Sequence, residues 1–297
     1  MQEAFLTTRR ASQALGVSEA SLKRWCDQGL LPVVRTPGGH RRLPVSGLVQ
    51  FARERRLEFV QPGIIGLPRA LVRNEDVRGG MHEALGAALQ SGDEQEVRAL
   101  ILGRYLGGRS AAEILDETFA PAFREMGDKW AHGDLEVFEE RRAVELAMRL
   151  LHQWRMLLPI PPSAAPLAIG GTLGGDPYTL PTTMVELALR ESGWRAESYG
   201  CGLPPSTLVD AIRRVRPRLL WLSVSAFESE AQFAEDYLRI YEAARELGVA
   251  VIIGGRMLTP QLRERLRYSA FCDNLRHGVA FVGALDCRGT VEGEERS

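Results

Sequence analysis

Apolar positions change their spacing twice along the chain, and the changes divide it into three parts. In the first part they recur at helical spacing in short runs bounded by glycine and proline. Thr8 is placed to cap a helix carrying Ala11, Ala14 and Leu15, which Gly16 ends. Ser18 caps a second helix, with Ser21 three residues on. There Leu22 and Trp25 turn inward, Lys23 and Arg24 point elsewhere, and Gly29 closes the helix. Leu30-Leu31-Pro32 leads into an extended arm, and Thr36-Pro37-Gly38-Gly39 is hairpin-tip chemistry, because glycine supplies positive φ. A third helix starts between Pro44 and Phe51, with Leu48, Val49 and Phe51 apolar.

Pro62, Gly63, Gly66 and Pro68 interrupt the pattern and place a linker near 57–75. Four longer helical stretches follow. Met81, Leu85, Ala88 and Leu89 share a face, and Asp93 caps a run with Val97, Leu100 and Ile101. Ala112 to Trp130 continues the spacing, and Leu135 to about Leu158 completes it. Four helices of this length predict a bundle. A stiff Leu157-Leu158-Pro159-Ile160-Pro161-Pro162 hinge ends it.

Beyond the hinge, strands and helices alternate. The expected strands are Pro166–Gly171, Trp194–Tyr199, Leu219–Ser225 and Val249–Ile253. The expected helices are Thr182–Ser192, Pro205–Arg214 and Phe233–Leu247. Such alternation gives a parallel sheet covered on both faces, with ligands outside the carboxyl ends of the strands. The expected architecture is therefore multidomain: a winged-helix (helix-turn-helix) head with its linker over 1–75, a four-helix bundle over 76–160, and an α/β flavodoxin-like domain over 161–297.

Charge sharpens the division. Residues 1–56 carry a net +6, so a chain of net −1 leaves −7 for the rest. A basic head on an acidic body fits one nucleic-acid face with the body repelled from phosphates. Cys26, Cys201, Cys272 and Cys287 are scattered without metal-ligand spacing, which points to a reducing cytoplasm and no disulfide frame. No apolar run is long enough to span a bilayer.

The candidate chemistry of the head is a second helix suited to the major groove, beside a basic hairpin suited to phosphates. The candidate DNA-binding residues are Thr8, Ser18, Ser21, Lys23, Arg24, Arg35, His40, Arg41 and Arg42. Gly16-Val17-Ser18, Leu22, Arg24-Trp25, Gly29-Leu30-Leu31-Pro32 and Arg35-Thr36-Pro37-Gly38-Gly39-His40-Arg41-Arg42 resemble the heads of the MerR family of transcription regulators. The resemblance implies a dimer on pseudo-palindromic double-stranded DNA. Ser18 to Arg24 would lie near base edges, with Arg41 and Arg42 near phosphates.

In the sheet domain, Gly193 and Gly248 read as tight turns. Gly254-Gly255 follows a buried strand directly, and Ser223 and Ser225 face one side at a strand end. By residue type alone, Trp130 reads as core, and His132 and His152 as surface or packing residues. The order of parts resembles the cobalamin-dependent, light-responsive MerR-type repressors of carotenoid genes. That resemblance implies adenosylcobalamin as cofactor, Trp130 against its upper ligand, and a nucleotide tail taken at Ser223, Ser225 and Gly254-Gly255. It also implies switching between assembly states, dimer or tetramer.

Two departures stand out. Glu140 is followed by Arg141 where that family has histidine. Gly174-Gly175-Asp176-Pro177-Tyr178-Thr179-Leu180-Pro181 keeps Asp176 but holds Tyr178 in place of the cobalt-binding histidine. A phenol with pKa near 10 is a poor substitute for imidazole. Three readings of the domain stay open: cobalamin without a protein ligand below, another planar ligand in the same cleft, or a ligand-free fold kept for self-association. Arg141 stands beside the site or pairs with Glu140 or Glu145.

The leading function is a cytoplasmic DNA-binding regulator, a repressor, with a bundle-plus-sheet sensor. A corrinoid enzyme or methyl carrier is the rival, although Asp176, Tyr178 and His277 show no acid–base arrangement by spacing. A third reading is a regulator that answers to a partner protein.

Overall fold

The computed structural model describes residues 4–68, 71 and 80–294, the side chains of 286–294 excepted. It divides into two compact units, Met1–Ile160 and Pro161–Ser297.

The first unit opens with β1 (Phe5–Thr7), α1 (Thr8–Leu15), α2 (Glu19–Asp27), β2 (Val34–Arg35), β3 (Arg41–Pro44) and α3 (Val45–Glu54). The strands form an antiparallel sheet in the order β1-β3-β2. Thr7, not Thr8, caps α1, accepting from the Arg10 amide. Pairing of Thr7 with Arg42 keeps Thr7 extended, so the cap falls there and the helix starts one residue earlier than a cap at Thr8 would give. Thr8 Oγ1 instead donates to Glu19 Oε1 at 2.7 Å, joining α1 to α2. Ser18 caps α2 as expected, accepting from the Ser21 amide. Leu22, Leu31, Leu43, Leu48 and Phe51 are buried beneath the three helices. The region read as linker is structured where it is described. A 3-10 turn at Pro62–Ile65 docks on α1, with the Gln61 amide donating to Ala14 O at 3.1 Å. Gly16 has φ +66, and a Cβ there would lie 2.5 Å from a Val60 methyl, so both backbone and space demand glycine. The rest of the linker, 69–70 and 72–75, lies outside the described residues, as does the start of the bundle segment, 76–79.

The bundle comprises α4 (Met81–Ser91), α5 (Glu94–Leu106), α6 (Ala111–Ile114), α7 (Ala120–His132) and α8 (Val137–Arg155). A wide turn at Leu115–Phe119 makes α6 and α7 one continuous rod. Asp93 caps α5 by accepting from the Glu96 amide. Leu85, Leu89, Leu100, Phe119, Met126, Leu150 and Trp154 fill the interior. Arg104, buried, donates to Thr118 at 2.8 Å and pairs with Glu117, which also takes Arg109. Arg53 of α3 fastens the head to this corner. Its guanidinium donates to Tyr105 O at 2.8 Å and Arg109 O at 2.9 Å, and lies 3.6 Å from the Tyr105 ring centre.

The second unit is a five-stranded parallel sheet in the order β5-β4-β6-β7-β8. Its elements are β4 (Leu167–Gly171), α9 (Thr179–Glu191), β5 (Arg195–Ser198), α10 (Pro205–Val215), β6 (Leu219–Ser223), α11 (Glu230–Glu246), β7 (Ala250–Gly254), α12 (Pro260–Arg265), β8 (Ala270–Phe271) and α13 (Leu275–Glu294). Side chains alternate across β6. Leu220 and Leu222 join the core under α10 and α11, whereas Leu219 and Trp221 join the core with Leu189 of α9 and Val282 of α13. α9 starts three residues earlier than expected. Pro181 stands in its first turn, where a missing amide hydrogen removes no helical bond. α12, β8 and α13 went unread. β8 has two residues, and Gly278 and Gly283 interrupt the α13 pattern.

Candidate functional site

Three places hold the candidate residues, and they differ in how much of their polar chemistry is already used. On the head, Ser18, Lys23, Arg24, Arg35 and His40 are exposed, and Ser21, Arg41 and Arg42 are half-buried. Leu22 and Cys26 bury the inner face of α2, and Trp25 rests on Phe51 with ring centres 5.0 Å apart. That inner packing fixes which side of α2 meets solvent. Arg24, Arg35 and Arg42 make no ion pair among the described residues. Lys23 pairs with Glu19 at 3.2 Å. Arg41 pairs with Asp27 at the end of α2, so it fixes the angle of the wing as well as its charge. The wing tip is closed by Gly39 N–H donating to Thr36 O at 2.8 Å and His40 N–H donating to Thr36 Oγ1 at 3.2 Å. The Glu19 carboxyl sits below its ordinary pKa, chiefly because Thr8 and then Lys23 donate to it.

On the bundle, Trp130 in the last turn of α7 is 51% exposed, not the core residue its type suggested. Val137 and Phe138, just across the α7–α8 corner, are exposed as well. His132 is exposed and bonded through Nδ1 to Asp128 O, and His152 is exposed. Arg141 pairs with Glu140 at 3.6 Å on the surface of α8.

At the carboxyl edge of the sheet the polar groups point inward. Asp176 is buried, and its carboxylate accepts from the amides of Tyr178 (3.1 Å), Ser225 (2.6 Å) and Ala226 (3.2 Å). Its carbonyl accepts from Thr172 Oγ1 and the Gly202 amide. One residue thus ties together the loops after β4, β5 and β6. Tyr178, half-buried, occupies the N-cap position of α9 without a side-chain capping bond, and the Arg256 guanidinium lies 5.4 Å from its ring centre. Arg256 also donates to Ser225 O at 3.0 Å. Ser223 and Ser225 are buried. A Cβ at Gly254 would meet Cys272 O at 2.7 Å, and one at Gly255, φ +133, would meet Val224 O at 2.2 Å. The protein's own backbone therefore accounts for both glycines. Sequence reasoning missed Arg256 and the Trp221–Thr182 bond described below; Leu219–Ser225 read as a strand buried on both faces, which drew attention away from the one aromatic in it.

Comparison with known proteins finds three family models along the chain. A helix-turn-helix domain model matches residues 5–56, and two B12 binding domain models match 81–153 and 166–276. The chain carries a DNA-reading head and a two-part B12-binding-type module. It is 25% identical over 272 residues to the HTH-type transcriptional repressor CarH of Myxococcus xanthus, covering 82% of this chain and 87% of that protein. The monomethylamine corrinoid protein of Methanosarcina barkeri superposes with a TM-score of 0.56 at 16% identity, covering 68% of this chain and 96% of that one; this likeness is one of fold. The protein is a DNA-binding regulator with a sensor module related to cobalamin-binding domains.

The residues fit cobalamin only in part. The loops at the strand ends leave Gly174, Pro177, Gly202 and Arg256 exposed. Tyr178 supplies no imidazole for cobalt. Asp176 already accepts three amides, which hold its carboxylate in place. Behind Ser223, the buried Trp221 indole packs over Gly170. No step can be routed through a histidine at position 178. No group of three or more metal-ligating side chains occurs among the described residues, and no described helix is long and apolar enough to cross a membrane.

Proposed function

We propose that the protein is a transcriptional repressor that grips double-stranded operator DNA as a dimer or higher assembly, and that a corrinoid resting outside the sheet's strand ends sets its state of association. The observation that carries this reading is the uncommitted basic surface of α2 and the wing, fixed to the bundle through Arg53. Arg24, on the outer side of α2, would meet base edges, and Arg35 and Arg42 phosphates. Arg41 would hold the wing to α2 while adding charge. On the bundle, Trp130, Val137 and Phe138 leave an exposed apolar surface. Arg53 passes any displacement of the α5–α6 corner to α3.

For a ligand to act as a switch it must bind one assembly better than another. Changing a 9:1 population to 1:9 takes about 2.6 kcal/mol of differential affinity. A corrinoid enzyme or methyl carrier would have no use for the exposed head, which places it second. The test is fluorescence anisotropy with the duplex upstream of the protein's own gene, with and without corrinoid, in darkness and under illumination. Binding tighter than to a scrambled duplex, altered by the ligand, supports the reading. Equal binding to both duplexes defeats it.

A further inference from the structure

The face of β6 that presents Ser223 also carries Trp221, two residues earlier, because side chains alternate along a strand. Trp221 is 1% exposed. Its indole lies across Gly170 of β4, where an added Cβ would come within 2.2 Å of the ring. Glycine at 170 is therefore required by the indole. The indole Nε1–H donates to Thr182 Oγ1 of α9 at 2.9 Å, and Thr182 Oγ1 lies 3.2 Å from Ser198 Oγ of β5. One aromatic side chain thus bridges β4, β6 and α9 with its polar atom satisfied. Leu189, Trp194, Ile252 and Val282 pack the rest of this layer. The cleft left between α9 and α13 is lined by Val185, Ala188, Ile252, Cys272, Gly278 and their apolar neighbours, with Asn274 beside them. Burial raises the Cys272 thiol to about 11, so it is no anion there at neutral pH. Asn274 apart, the lining is apolar, and it holds no cationic group for a phosphate.

We infer that Trp221 is a specificity-determining plug: it closes the sheet–helix layer to a corrinoid's nucleotide tail, so that this protein recognises the corrin ring and is indifferent to the tail. The inference rests on the corrinoid reading above. An entering tail would have to pass Ser223 and then displace an indole that three elements hold. A closed, close-packed layer yields little to such a group. Selection then falls on the ring and its side-chain amides, which the loops at the strand ends can meet from outside.

The experiment titrates the full-length protein with cyanocobalamin and with dicyanocobinamide, the same ring lacking the nucleotide, by equilibrium dialysis. Dissociation constants within about threefold of each other are expected, since a tail left in solvent contributes little. Cyanocobalamin binding at least tenfold tighter would overturn the plug and leave the corrinoid reading standing. Binding of neither would remove the corrinoid reading and the plug together. Trp221→Ala, checked for folding by circular dichroism, should gain a tenfold or greater preference for cyanocobalamin. Trp221→Phe, which keeps the layer filled, should not. Equal preference in a folded Trp221→Ala protein overturns the plug.

Discussion

The head and the sheet domain hold similar inventories of polar side chains and spend them in opposite ways. On the head, Arg24, Arg35 and Arg42 have no ion-pair partner among the described residues, and the exposed wing presents His40. In the sheet domain, Asp176 accepts three amides, Thr182 accepts from Trp221, and Arg256 donates to a carbonyl. Buried polar groups are normally satisfied, so satisfaction inside a domain signals architecture. An exposed basic cluster that the fold leaves unpaired signals a partner. Positions that look alike in a motif are thus told apart by where their hydrogen bonds go.

The comparison breaks most sharply at Asp176. Replacing it with alanine strands the Ser225 and Ala226 amides, and hydrogen bonds to a charged group are each worth roughly 1.5–3 kcal/mol. Asp176→Ala should cost the second unit about 3 kcal/mol or more in urea unfolding while the head still binds DNA. An unchanged midpoint would mean the carboxylate serves a ligand. On the head the expectation is reversed: Arg24→Ala should leave stability within about 0.5 kcal/mol yet weaken operator binding by about 1–3 kcal/mol. Arg42→Ala should weaken all duplexes alike and lower the salt slope by about one. Arg24→Ala without an affinity change would move the reading surface elsewhere.

The reasons some features were legible in the sequence and others were not are physical. The head was legible because caps, turn glycines and an inward Leu22 are local signals, each acting within a few residues. The one-residue shift of the first cap came from β1 pairing with β3, which no local pattern encodes. The sheet strands were legible as apolar runs. The two-residue β8 and the glycine-interrupted α13 were not, since two residues carry no periodicity and Gly278 and Gly283 break the helical pattern. The departure at Tyr178 was visible in the sequence. That Trp221 closes the layer behind Ser223 depends on Gly170, some fifty residues away, and only packing shows it.

Smaller effects sharpen the same contrast. Tyr178→His places an imidazole at the start of α9, and corrinoid binding should tighten about tenfold, or about 1.4 kcal/mol, in an absorbance titration. No change would place the ring away from this loop. The smallest effect concerns Glu19, whose carboxyl pKa is lowered by Thr8 and Lys23. A depressed folded-state value means its contribution is present above the ordinary carboxylate range and fades as pH falls through the folded value. Thr8→Val should move the Glu19 pKa upward in an NMR titration. An unmoved value would show that Lys23 alone holds it down.

The claim on which the rest stands is that the amino-terminal head reads a particular duplex and that protomers associate to do so. Sedimentation velocity of the full-length protein with a labelled duplex from upstream of its own gene, against a scrambled duplex of equal length, tests it most directly. The account predicts an even number of protomers per specific duplex, at an affinity about a thousandfold or more above the scrambled one at physiological salt. A single protomer bound with the same affinity to both would contradict it.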